Sequence, residues 1–205
     1  MNQYFEKDKL EVGVDEVARG CLAGRVYAAA VIWPQDIDIE KSPQLNDSKK
    51  LSKKRRELLK DYIEETAIDF SVSYESPENI DKYNILKASH MAMHKAIKNL
   101  NVIPESILVD GNLFEPYYHN NELIQHKCFI NGDSKYASIS AASILAKVYH
   151  DMYVEKLCDE NKDLEKYGWR TNMCYGTKEH IDSIIKYGLT EHHRKTFGIC
   201  KEYSK

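Results

Sequence analysis

The stretch GVDEVARGCLAGRVYAAAVI, residues 13–32, holds most of two predicted strands and the short link between them. The first strand is Val12–Val14. The nearly continuous apolar run Arg25–Ile32 predicts a second strand that is buried on both faces. A crossover helix needs a connection of a dozen or more residues, and this link is shorter. The two strands are therefore expected to pair antiparallel.

Strand and helix patterns alternate along the rest of the chain and predict an α/β domain. The expected elements are a helix at 52–66, a strand at 70–74, a helix at 85–100, strands at 106–109 and 126–130, and a helix at 138–157. Helices should flank a mixed central sheet. The 205 residues suffice for one domain over 1–205 with a sizeable core. The polar stretch after about residue 160 is expected to be partly helical.

The composition is that of a soluble globular protein, with 42% hydrophobic and 30% charged residues. The net charge of −3 argues against broad nonspecific binding to nucleic acid, although a local basic patch could still bind it. The five cysteines include no C-x-x-C pair, which favours free thiols in a reducing compartment. No signal peptide or bilayer-spanning run is visible. The expected location is cytoplasmic, or nuclear in a eukaryotic host, and not secreted, with no membrane partner.

Three acidic residues occupy the same kind of position in the predicted sheet. Asp15, Asp110 and Asp133 each come just after a predicted strand. Sites in open α/β sheets form beyond the carboxyl ends of parallel strands. If the first and fourth strands are parallel neighbours, Asp15 and Asp110 lie side by side. Glu16 can join them only if the chain bends there, because consecutive strand residues face opposite ways.

Clustered carboxylates repel one another, so either some stay protonated or a cation neutralises them. Oxygen ligands with little His or Cys nearby favour magnesium or manganese over zinc. Two such ions are a known device for phosphodiester hydrolysis. The alternative is that each acid is an ordinary surface turn residue, since Asp-Gly and Gly-Asp are common in turns.

The chain resembles ribonuclease HII over nearly its whole length. The resemblance rests on an ordered set of motifs: GVDEVARGCLAGRVYAAAVI, LNDSKKLSKKRR (45–56), NIL (84–86), ILVDGN (107–112), NGDSKYASISAASILAKVYHD (131–151), YG (167–168), YGTKEH (175–180) and TEHHRKTFG (190–198). It implies an RNase H-like fold with a helical, substrate-contacting C-terminal segment at about 160–205. It also implies endonucleolytic cleavage of RNA in RNA–DNA hybrids and at single ribonucleotides in duplex DNA. The implied cut lies on the 5′ side of the ribonucleotide and leaves a 3′-hydroxyl and a 5′-phosphate.

The resemblance also implies a catalytic centre and its cofactors. The four acids that hold the metals fall on Asp15, Glu16, Asp110 and Asp133. The implied cofactor is Mg²⁺ or Mn²⁺, with two ions during catalysis. The expected partners are RNA–DNA hybrids and ribonucleotide-containing DNA, in ribonucleotide removal, repair and primer processing. A monomer is expected, and no sliding-clamp motif is evident at the C-terminus.

Ribonucleotide recognition in the family uses a Gly-Arg-Gly motif and a tyrosine. By motif these fall on Ala18, Arg19, Gly20 and Tyr175, so alanine replaces the first glycine. Its Cβ is expected to press on the sugar or to resist the backbone conformation, which would weaken cleavage at a single embedded ribonucleotide. A second departure is Met173-Cys174, where the family usually has Lys-Gly. It removes a cation that could meet a phosphate.

Other polar features have less specific interpretations. The basic run at residues 47–56 suits phosphate contact, with Lys49 as the candidate and most of 53–56 facing solvent. His90 and His94 have zinc-binding spacing, but the H-E-x-x-H glutamate and a third ligand are missing. The segment 192–194 could face phosphate or could serve packing and salt bridging.

The sequence is compatible with three functions. The first is an active metal-dependent ribonuclease HII, which the four acids favour. The second is a nucleic-acid-binding protein that kept the fold and lost turnover, which only Ala18 and Met173 favour. The third is another nuclease with the same metal chemistry, such as a junction resolvase. The segments DSKKLS and SISAASILAKV argue against the third.

Overall fold

The computed structural model describes residues 1–37, 43, 45 and 51–204. Its strands are β1 (Glu11–Val17), β2 (Val26–Ile32), β3 (Asp69–Glu75), β4 (Ser106–Asp110), β5 (Tyr117–His119) and β6 (Glu122–Phe129). Its α-helices are α1 (Lys53–Thr66), α2 (Pro77–Tyr83), α3 (Ile85–Lys98), α4 (Ala137–Glu160), α5 (Trp169–Asn172) and α6 (Lys178–Tyr187). None of the helices in these ranges is long and apolar enough to cross a membrane.

The six strands form one mixed sheet in the order β3-β2-β1-β4-β6-β5. β1 pairs antiparallel with β2, as the short link between them predicted, and parallel with β4. The pairing with β2 continues to Val17, opposite Tyr27, so β1 is longer than the predicted strand Val12–Val14. Asp15 and Glu16 therefore lie within β1 and not after it.

Helices cover both faces of the sheet, which confirms the predicted α/β class. On one face, Ala28 and Ala30 of β2 share a buried cluster with Met93 and Ile97 of α3. On the other face, Ala29 and Val31 share a second cluster with residues of α1 and α4. The alternation of these β2 residues between the two clusters explains why the run is apolar throughout.

The small residues at the start of α4 let it lie directly against β1. An added Cβ at Gly13 would lie 2.2 Å from the Ser138 carbonyl carbon and 2.3 Å from the Ile139 nitrogen. Both atoms belong to the helix backbone, which cannot rotate away as a side chain can.

Gly13→Ala is therefore expected to destabilise the fold strongly. Overpacking typically costs about 1–3 kcal/mol, and a clash with backbone belongs at or above the upper end of that range. The measurement is the free energy of unfolding in urea. Gly20→Ala is the matched control, since its Cβ would have its nearest neighbour only at 4.0 Å. Equal stability of the two variants would contradict the packing of α4 on β1.

The C-terminal part of the chain is helical, as predicted. The 3₁₀ segments Lys162–Tyr167 and Gly198–Lys201 accompany α5 and α6. This region shares a buried cluster with the link that follows β1. The cluster contains Ala18, Cys21, Ala23, Val154, Cys158, Leu164, Tyr167, Trp169, Cys174, Ile184 and Cys200. All five cysteines are free thiols, as expected.

Candidate active site

Two carboxylates meet at the carboxyl edge of the parallel strands β1 and β4. The paired register ends at Val14 opposite Val109, so Asp15 and Asp110 follow on neighbouring strands at the same level. Asp15 is buried. Burial raises the pKa of Asp15 well above its ordinary value, and the charges on Glu16 and Asp110 raise it further. The parallel neighbours predicted from the sequence are thus present, and the two acids lie within electrostatic range.

Glu16 lies within electrostatic range of Asp15 and Asp110 although β1 does not bend there. It is a regular strand residue opposite Ala28, whereas Asp15 is opposite Ala29. Directly opposed residues share a face, so Glu16 faces the α3 side and Asp15 the α4 side. The pKa of Glu16 is nevertheless raised, by burial first and also by the charge on Asp110, while Arg19 opposes the rise. Glu16 therefore interacts electrostatically with the other acids from the opposite face of the sheet, and no bend in β1 is needed for this.

The fourth acid follows β6, which pairs parallel with β4 up to Phe129 opposite Asp110. Asp133 is buried in the 3₁₀ turn Gly132–Ser134. The Gly132 N–H donates to Asp110 Oδ1 at 2.7 Å. An added Cβ at Gly132 would lie 2.8 Å from Ile139 Cδ1, so the turn packs closely at this edge.

The oxygen donors suit Mg²⁺ or Mn²⁺, and their mutual repulsion is the kind that a cation relieves. In the described ranges, no three or more His, Cys, Asp or Glu side chains form a group that could hold a metal ion as they stand. The acids lie at one edge of the sheet, but their side chains are not arranged to coordinate a metal ion together.

A cavity of about 220 Å³ adjoins these acids. Glu16, Arg19 and Asp110 line it together with residues 111–113 and α3 side chains that include His90. His90 and His94 both pack against Phe114, with ring centroids 5.9 and 5.0 Å apart. The two histidines thus serve the packing beside the cavity.

The predicted ribonucleotide-recognition residues converge beside the acids. Cys21 and Tyr175 form an antiparallel bridge, which places Tyr175 over the turn that follows β1. An added Cβ on Gly20 would lie 4.0 Å from Tyr175 Cε1. Arg19 Nη1 donates to Glu16 Oε1 at 3.2 Å and so joins the turn to the carboxylates. Lys49, the remaining candidate, lies outside the described residues.

The alanine at the family's first glycine position adopts a backbone conformation that glycine would adopt without strain. Ala18 adopts φ +71°, in the left-handed region that costs an L-residue about 1–2 kcal/mol. Its exposure is only 2%, and it belongs to the buried C-terminal cluster. Met173 and Cys174 are also left-handed, with φ of 48° and 66°, and Cys174 is buried in the same cluster. Packing holds these residues where glycine would be free of strain.

Known proteins resemble this chain over almost its entire length. The family model for Ribonuclease HII matches residues 12–200. The chain belongs to the ribonuclease HII family. Ribonuclease HII of Parabacteroides distasonis is 50% identical over 199 residues, which are 97% of this chain and 95% of that relative. As a family member, the protein is a hydrolase of the ribonuclease H type, an endonuclease that acts on RNA–DNA hybrids.

Solved structures confirm the RNase H-like fold. Ribonuclease H2 from Pyrococcus horikoshii superposes with a TM-score of 0.76 at 24% identity, over 94% of this chain and 96% of that one. Bst-RNase HIII in complex with Mn²⁺ gives a TM-score of 0.70 at 19% identity, over 95% of this chain and 68% of that one.

A buried histidine pair, His180 and His193, lies behind Tyr175 and was not predicted from the sequence. His180 Nδ1 lies 3.0 Å from the Tyr175 carbonyl oxygen and must donate to it, since a carbonyl only accepts. His193 Nδ1 accepts from the Thr190 N–H at 2.9 Å. Its Nε2 therefore carries the proton and donates to His180 Nε2 at 3.2 Å, which also accepts from Trp169 Nε1 at 3.0 Å. Both rings are neutral in this network, and no sequence spacing signals the pairing.

The buried pair of His180 and His193 is expected to make the folded protein less stable at acidic pH. Burial, with the nearby His180 and His192, lowers the pKa of His193 from 6.5 to about 3. The unfolded chain thus binds a proton at pH values where the folded protein does not. The contribution to stability is present above the ordinary pKa and is lost as pH falls toward 3, by up to roughly 1.4 kcal/mol per pH unit.

Urea unfolding at a series of pH values measures this effect. His193→Asn keeps an acceptor for the Thr190 N–H and removes the titrating group, so its free energy of unfolding should vary less between pH 7 and 4. The same pH dependence in both proteins would show that His193 does not titrate as described.

Proposed function

We propose that the protein hydrolyses the phosphodiester on the 5′ side of a ribonucleotide, both in RNA–DNA hybrids and at single ribonucleotides in duplex DNA. The ion pair between Arg19 and Glu16 carries the proposal. This ion pair connects the turn that follows β1, which lies next to Tyr175 and is proposed to hold a ribose, to the sheet edge where Asp15 and Asp110 meet. Recognition of a ribonucleotide and hydrolysis of the adjacent bond thus fall within one continuous site.

The proposed metal ligands are Asp15, Glu16, Asp110 and Asp133, and the proposed ions are Mg²⁺ or Mn²⁺, two during catalysis. The raised pKa of Asp15 in the presence of its acidic neighbours supports this assignment, as does the Mn²⁺ complex of Bst-RNase HIII. When bound, the ions would supply the Lewis acidity that phosphodiester hydrolysis needs.

The other residues are proposed to bind and orient the substrate. Gly20 lies beside the Tyr175 ring with no side chain between them, and the exposed part of that ring is proposed to pack against the ribonucleotide or the following sugar. Ala18 shapes the turn, and Lys49 is the proposed phosphate contact. We further propose a single catalytic domain over 1–205, acting as a monomer. Its proposed roles are ribonucleotide removal, repair and primer processing, in the cytoplasm or, in a eukaryotic host, in the nucleus.

The test compares three duplexes that share one sequence: a continuous RNA–DNA hybrid, a DNA duplex with one embedded ribonucleotide, and an all-DNA duplex. With Mg²⁺ or Mn²⁺ the first two should be cut and the third left intact. End analysis should find a 3′-hydroxyl and a 5′-phosphate at the 5′ side of the ribonucleotide. Cutting of the hybrid alone would refute the single-ribonucleotide activity. Undiminished cutting in excess chelator would refute the metal assignment.

A further inference from the structure

The link between β1 and β2 carries Arg19 and Gly20 and is held between two C-terminal segments. On one side, the Leu22 N–H donates to the Cys174 carbonyl at 2.9 Å. On the other side, the Gly24 N–H donates to the His192 carbonyl at 2.8 Å. These bonds hold the middle of the link.

The Arg194 side chain holds both ends of the link by hydrogen bonds from inside the protein. Its side chain is completely buried, with 0% exposure. Nη1 donates to the Arg19 carbonyl at 3.0 Å, Nε to the Gly24 carbonyl at 3.0 Å and Nη2 to the Arg25 carbonyl at 3.1 Å. Among the described residues, no carboxylate forms an ion pair with Arg194. The guanidinium is thus directed at three backbone carbonyls and serves packing inside the protein.

The bond to the Arg19 carbonyl fixes more than one atom. The peptide between Arg19 and Gly20 is planar, so its C=O and N–H point in fixed, opposite directions. Gly20 is exposed, and its N–H has no hydrogen-bond partner among the residues that the structure describes. The contact of Arg194 with the preceding carbonyl, together with the bond from the Cys21 N–H to the Ala18 carbonyl at 3.3 Å, therefore constrains the direction of this available donor beside Tyr175.

We propose that Arg194 is a positioning residue that aims the Gly20 N–H at the ribonucleotide. The proposal rests on the proposed function, since it supposes that this turn receives the ribose. A planar guanidinium suits the task because its rigid set of donors can hold three carbonyls at once, whereas a lysine ammonium cannot reproduce that geometry. Arg194 itself does not touch the substrate.

The first test uses the protein without substrate, so that it does not depend on the proposed function. In Arg194→Lys, the backbone amide resonance of Gly20 should shift in ¹⁵N–¹H spectra, while resonances of β3 and α1 stay in place. Lys195→Met is the matched control, since that neighbouring side chain is exposed. An unmoved Gly20 resonance in folded Arg194→Lys would overturn the proposal.

The second test measures cleavage of the single-ribonucleotide duplex at a temperature where circular dichroism shows each variant to be folded. Arg194→Ala should lower kcat by about ten- to a hundredfold and change KM by less than about threefold, because a misplaced contact slows the bond-breaking step. Ethylguanidinium should restore part of kcat, and ethylammonium should not. A raised KM with unchanged kcat, or a rate that follows only the folded fraction, would overturn the proposal.

If Arg194→Ala does not fold, the same kcat and KM criteria apply to Arg194→Lys. Absence of cleavage by the wild-type protein would count against the proposed function and leave the amide test to decide on Arg194.

Discussion

Asp110→Asn is expected to abolish cleavage and to leave the fold intact. Asparagine keeps the oxygen that accepts the Gly132 N–H at 2.7 Å, so the turn that carries Asp133 should stay in place. It removes the charge that a metal needs and that raises the pKa of Asp15. Loss of a metal ligand should lower kcat by at least about a thousandfold, which corresponds to about 4 kcal/mol in the barrier.

Three measurements decide this expectation: single-turnover cleavage of the hybrid, hybrid binding and thermal unfolding without metal. Binding should persist, and stability should not fall, because carboxylate repulsion is relieved. Asp61→Asn is the matched control, since that acid is 70% exposed on α1. A near-wild-type rate at saturating magnesium would remove Asp110 from the proposed set of ligands.

Tyr175→Ala is expected to lower cleavage by about a hundredfold without unfolding the chain, since a displacement of about 1 Å can have that effect. The side chain is 37% exposed, so its removal opens little of the core. The Tyr175 carbonyl remains bonded to His180 in the variant, which should keep the backbone in place.

Tyr175→Phe separates the ring from the hydroxyl. Burial raises the pKa of Tyr175 above its ordinary value, whereas a hydrogen bond from the Ala18 backbone opposes that rise. Phenylalanine keeps the packing surface and loses only the hydroxyl bonds, so its rate should fall by less than about tenfold. The readouts are kcat, KM and the free energy of unfolding. A loss of several kcal/mol in stability with an unchanged rate would make Tyr175 a structural residue.

Local patterns predicted most of the sheet and helices, but not where β1 ends. The strand continues through Asp15 and Glu16 because β2 pairs with it up to Val17. That pairing is a tertiary contact, and two acids in a row give no local sign of it. In α1, Leu59 and Ile63 are buried whereas Leu58 is 56% exposed, a difference that residue type alone does not indicate.

In the candidate site, too, some features follow from the local sequence and others depend on tertiary contacts. The grouping of the acids could be predicted because Asp110 ends a strand, Asp133 follows one, and Asp15 and Glu16 lie near the carboxyl end of a third. Ala18 was recognised as unusual, but only the structure shows that packing accommodates its left-handed backbone. For segment 192–194, the sequence allowed phosphate contact but supported packing or salt bridging at least as well. The role of Arg194 depends on backbone carbonyls that are far away in the sequence, such as that of Arg19, so the sequence could not reveal it.

The sheet order has a consequence for the chain while it is being translated. β1, β2 and β3 are adjacent in sequence and in the sheet, so this unit can assemble early. Asp15 meets Asp110 only after β4 has left the ribosome and inserted beside β1. The Arg19 carbonyl gains its guanidinium partner only when Arg194, close to the C-terminus, has been synthesised. The proposed site therefore gains its last contact only when synthesis is nearly complete, and a nascent chain is expected to lack full nuclease activity until then.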